Sequence, residues 1–82
     1  MSLKATIATV FQEVAREQRR TLAPLTDDLN LRKSGLDSFS VALTVVRLED
    51  VLGFDPFDTD EDVRFPTTFG EFVRLYESRP PG

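Results

Sequence analysis

The chain has 82 residues, 10 basic against 14 acidic side chains for a net charge of −4, and 40% hydrophobic residues, with no His, Cys or Trp. That length allows one compact domain, and the missing Cys and His exclude disulfides, a typical zinc site and any Ser-His-Asp or Cys-His nucleophile. The acidic balance, with a pI near 4.6, disfavours nucleic acid and anionic membrane surfaces as partners and favours basic ones.

From Leu3 the apolar residues Ile7, Val10, Phe11 and Val14 recur at one-face helical spacing, with Ser2 as N-cap. This predicts a first helix ending near Arg20. Arg16, Arg19 and Arg20 fall in its last turn, where cations complement the helix dipole and where they also form a candidate partner-binding patch. No helical period runs from Thr21 to Asp37. Pro24, Asp27, Asp28, Asn30 and Gly35 interrupt it, while Leu22, Leu25, Leu29, Leu31 and Leu36 are spaced to tuck inward one at a time. Structureless loops beyond about 12 to 15 residues are uncommon in compact domains and are often functional.

A second helix is expected from Ser38 to Leu52, closed by Gly53. It carries two apolar stripes. Val41, Val45, Leu48 and Leu52 run its full length and are expected in the core. Phe39, Ala42, Leu43 and Val46 are expected to stay partly exposed as a docking surface, with Arg47, Glu49 and Asp50 beside them. Asp55 to Asp62 holds five acids and suggests an irregular turn or short helix reaching Phe65. Thr68, followed three residues later by Glu71, makes a capping box for a last helix with Phe69, Phe72, Val73 and Tyr76 on one face, stopped by Pro80 and Pro81. The expected fold is all-α: a small right-handed-type bundle of three main helices plus one short helix, with a long loop between helices one and two.

Two apparent motifs fail on spacing. Asp58, Asp60 and Asp62 begin like an EF-hand loop, but Val63 and Phe69 stand where Gly and Glu are required. Lys33-Ser34 lacks the glycines of a phosphate loop. No stretch approaches the roughly 20 apolar residues of a membrane-spanning helix. The first residues lack the apolar core of a signal peptide, so a cytoplasmic location is expected.

Gly35-Leu36-Asp37-Ser38-Phe39 differs, because each residue has a separate task at a loop-to-helix junction. Gly35 permits a sharp turn, Leu36 is placed to staple onto Val41, and Asp37 can cap the backbone N–H groups of the new helix. Ser38 then sits in the first turn, at the helix end whose partial positive charge favours a phosphate.

This junction resembles the attachment motif of the acyl carrier protein family. The likeness extends to the helix before the long loop and to Phe65-Pro66-Thr67-Thr68-Phe69 opening the last helix, and so covers almost the whole chain. The resemblance implies that Ser38 carries a 4′-phosphopantetheine arm taken from coenzyme A. Asp37, besides capping, would be the neighbour that helps the modifying transferase and its magnesium ion engage the carrier. The partners implied are a phosphopantetheinyl transferase, an acyl or aminoacyl loading ligase and downstream transferases or synthases. The chain would then be a freestanding, monomeric carrier of thioester intermediates, a substrate of enzymes and not itself an enzyme. One departure from the family is a second helix poor in acids, with only Glu49 and Asp50, which leaves a specialised acyl or aminoacyl pathway open beside housekeeping fatty acid synthesis. The alternative is an acidic helical adaptor that docks partners without covalent modification.

Overall fold

The computed structural model describes residues 2–57 and 65–78. Three α-helices, α1 (Leu3–Glu17), α2 (Ser38–Leu52) and α3 (Phe69–Glu77), pack as a small all-α bundle, and the α1–α2 loop contains a 3-10 turn at Leu31–Lys33. The expected short helix before Phe65 and the acids from Asp58 to Asp62 fall largely outside the described residues, as do Pro80 and Pro81. Asp55 lies within them, where its carboxylate accepts the N–H of Phe57 at 2.9 Å and fixes a turn.

Each helix begins where a short polar side chain takes up free N–H groups. Ser2 Oγ accepts from Ala5, Asp37 Oδ1 from Ser40 and Thr68 Oγ1 from Glu71. The start of α3 is satisfied further by the loop. Phe69 N–H donates to the Leu29 carbonyl and Gly70 N–H to that of Asp27, both at 2.9 Å, while Leu31 N–H donates to the Thr67 carbonyl. The loop is thereby stitched antiparallel along residues 67–70. Its backbone comes so close that a Cβ on Gly70 would sit 2.8 Å from the Asp27 carbonyl oxygen.

Helix α1 stops at Glu17, three residues before the expected Arg20. Arg19 N–H bonds the Arg16 carbonyl at 3.1 Å and Arg20 N–H the Ala15 carbonyl at 2.8 Å. That paired pattern is a Schellman termination, with Arg19 in the left-handed position (φ 55°) where glycine is usual. No glycine marks the stop, so the period alone runs past it.

The core is aromatic. Phe11 of α1 meets Phe69 and Phe72 of α3 edge-on, with centroids 5.4 and 5.2 Å apart, and Tyr76 continues the cluster 5.0 Å from Phe72. Ile7, Val10 and Val14 complete the α1 face, and Phe69, Phe72, Val73 and Tyr76 are all buried on α3. Of the loop leucines, Leu31 and Leu36 are buried, whereas Leu22, Leu25 and Leu29 are half-buried against the core.

Helix α2 departs most from expectation. Its buried line is Ser40, Thr44 and Leu48, not Val41, Val45, Leu48 and Leu52. Of that expected stripe only Leu48 is buried, and the other three pack against the core half-exposed. Two small polar side chains thus stand in the buried line, and the Thr44 hydroxyl is satisfied within the helix by the Ser40 carbonyl at 2.8 Å. Apolar residues surround this helix on nearly every side, so periodicity could not single out the buried line.

Candidate functional site

The junction before α2 is held from three directions. Ala23 N–H donates to the Ser34 carbonyl at 2.8 Å, which fastens the chain leaving α1 against the approach to α2. Ser34 is fully buried. Its hydroxyl donates to the Leu31 carbonyl at 2.6 Å and accepts from Leu36 N–H at 3.3 Å. Gly35 follows with φ 100°, and a Cβ there would lie 2.0 Å from the Thr21 carbonyl oxygen. Only glycine fits both the conformation and the approach. Leu36 is buried and anchors the turn.

The two carboxylate oxygens of Asp37 have different partners. Oδ1 accepts the Ser40 N–H at 2.8 Å, and Oδ2 pairs with Arg20 Nη2 at 2.6 Å. The N–H of Ser40 is the main reason its carboxyl is held below the usual aspartate range, with the charge of Arg20 adding to it. Ser38 is the first residue of α2 and is exposed, as is Phe39 at 64%. Behind Ser38 opens a groove of about 560 Å³. Leu31, Leu36, Val41, Ala42, Phe65 and Pro66 form its apolar wall, Asn30, Arg32 and Thr67 supply polar groups, and Ser38 belongs to its lining.

The expected partner-facing residues of α2 do not form one surface. Phe39, Ala42, Val46, Glu49 and Asp50 are exposed together on the side away from α1. Leu43 is half-buried and packs on the core. Arg47 turns toward α1, where Nη1 and Nη2 reach the Glu17 carboxylate at 2.6 and 2.8 Å. That pair lowers the Glu17 pKa, first through the hydrogen bond from Arg47. Sequence reasoning gave Arg20 no role at the junction, because its contact with Asp37 spans 17 residues. Ser40 and Thr44, both buried, were likewise missed because hydroxyl side chains rarely signal a core position.

Among the described residues no His, Cys, Asp or Glu side chains gather as a metal site, and no helix is long and apolar enough to cross a membrane. Comparison with models of protein families, with curated proteins and with solved structures finds no match.

Proposed function

We propose that the chain is an acyl carrier protein, with a 4′-phosphopantetheine arm on Ser38 whose thiol holds acyl or aminoacyl intermediates for partner enzymes. The observation that supports this reading best is the placement of Ser38, exposed at the first position of α2 and directly after a capped, rigidly held turn. The Ser38 hydroxyl would attack the coenzyme A phosphorus that bears the pantetheine. A phosphodiester bond to Oγ forms, the pyrophosphate bond breaks, and adenosine 3′,5′-bisphosphate departs. The Ser38 proton passes to a base on the transferase, since this chain has no His or Cys. The partial positive charge at the start of α2 favours the phosphodiester once formed.

The outward face of α2 suits the docking of transferase and loading ligase. Phe39 and Val46, 64% and 58% exposed, offer an apolar centre, with Glu49 and Asp50 at one end. That same face equally favours the alternative of a docking module without covalent modification. Incubation of the full chain with coenzyme A and a phosphopantetheinyl transferase separates the two. A carrier gains the mass of one phosphopantetheine group, and a docking module gains none.

A further inference from the structure

We infer that the two loop segments beside Ser38 form a docking surface for a protein partner that presents clustered carboxylates, opposite in sign to the partners favoured by the net charge of the chain. The segment that leaves α1, residues 19–23, runs beside the approach to α2, residues 32–37. Ala23 N–H donates to the Ser34 carbonyl at 2.8 Å, Arg20 Nη1 reaches the Gly35 carbonyl at 3.5 Å, and the Thr21 carbonyl closes on Gly35. These two segments hold four basic side chains, Arg19, Arg20, Arg32 and Lys33, against one acid, Asp37. All four cations are exposed. Arg20 is paired with Asp37, but among the described residues Arg19, Arg32 and Lys33 form no ion pair, whereas Lys4 and Arg47 are held by Asp27 and Glu17.

The overall charge of −4 does not cancel this patch. At physiological salt the Debye length is about 8 Å, so a docking surface is governed by the charges closest to it. The frame is also fixed before a partner arrives, by the buried Ser34 and by a turn at Gly35 that admits no side chain. Leu22 and Leu25 are half-buried and Pro24 is exposed on the same stretch of loop, which gives the basic residues an apolar neighbour of the kind interfaces use. Arg32 lines the groove that Ser38 shares, so a partner seated here lies over that hydroxyl. Glu17 precedes the patch and Asp27 and Asp28 follow it. Those acids repel a long phosphate backbone and leave room for a short acidic segment. The surface goes beyond the carrier reading and does not depend on it.

The test is an NMR titration of the 15N-labelled full chain with a synthetic peptide rich in Asp and Glu. Amide shifts should be confined to residues 19–25 and 32–38 and should fade as salt is raised, and a Lys-rich peptide should leave those residues unmoved. Replacing both free cations near Ser38, Arg32→Gln with Lys33→Gln, should weaken binding by about tenfold, the sum expected of two exposed ion pairs. Arg74→Gln, on α3, should bind as wild type does. Shifts elsewhere, no binding of the acidic peptide, or wild-type affinity in the double variant would overturn the proposal. So would tighter binding of a single-stranded oligonucleotide, or shifts in the same residues on concentrating the chain alone, which would make the occupant a nucleic acid or a second copy. Modification of Ser38 is read separately by mass, so the two readings fail independently.

Discussion

Ser34 and Ser38 stand four residues apart in opposite surroundings, the first fully buried with its hydroxyl both donating and accepting, the second exposed at the head of α2. Ser34→Ala leaves the Leu31 carbonyl and the Leu36 N–H without that partner and should cost about 1 to 3 kcal/mol. Ser38→Ala should stay within about 0.5 kcal/mol of wild type. Urea denaturation followed by circular dichroism measures both. Equal costs at the two sites would mean that Ser34 does not hold the turn.

The outward and inward flanks of α2 should respond differently to charge. Leu43 packs against the core, so Leu43→Glu should destabilise the bundle through loss of packing and burial of a carboxylate. Val46→Glu places the same charge on the exposed face and should leave the melting temperature nearly unchanged while slowing transfer to Ser38. Thermal melts paired with transfer assays on each variant decide this. A Val46→Glu variant that is modified at the wild-type rate would remove that face from the docking surface.

Arg19 holds a left-handed conformation that costs an L-residue roughly 1 to 2 kcal/mol and a glycine almost nothing. Arg19→Gly should therefore raise stability, by up to about 1 kcal/mol after the greater freedom of glycine in the unfolded chain is counted. A drop in the urea midpoint would show that the Arg19 side chain contributes more than its backbone costs.

Stability should fall at both ends of the pH scale. Glu17, Asp27 and Asp37 have lowered pKa values, through hydrogen bonds from Arg47, Lys4 and the Ser40 N–H respectively. The unfolded chain takes up these protons first, so the stabilisation is present above the ordinary carboxylate range, about 4 to 4.5, and is lost as pH drops through the folded values. Tyr76 shifts the other way. Burial pushes its phenol well above the usual value, with Asp55 and Glu49 adding to the shift. Its contribution is complete below about pH 10 and is lost as pH rises beyond. The Tyr76 hydroxyl has no hydrogen-bond partner among the described residues. Tyr76→Phe should accordingly abolish the alkaline loss and leave stability at pH 7 unchanged or higher. Melting curves from pH 3 to 11 test both signs.

What the sequence disclosed was local. Ser2, Asp37 and Thr68 cap helices within three residues of their own positions, and Gly53 closes α2 in a left-handed conformation, so short-range chemistry sufficed. The apolar face of α3 was equally plain, because Glu71, Arg74 and Glu77 stand off it. Long-range relations were not legible. The early end of α1 rests on an arginine in a glycine's place, and the buried line of α2 includes two hydroxyl residues. At the candidate site, the exposed Ser38 and its cap could be read from five residues. The holds by Arg20 on Asp37, by Arg47 on Glu17 and by Thr21 against Gly35 arise only once α1 and α2 are packed together.

The central claim concerns one hydroxyl, and mass spectrometry with peptide fragmentation tests it most directly. After incubation with coenzyme A and a phosphopantetheinyl transferase, the wild-type chain should carry one phosphopantetheine group, and fragments should place it on Ser38. Ser34 and Ser40 lie on either side within four residues, but both are fully buried and should remain unmodified. Ser38→Ala should keep the helical spectrum and gain no mass. Modification at another serine, or an unchanged mass for the wild-type chain, would contradict the account.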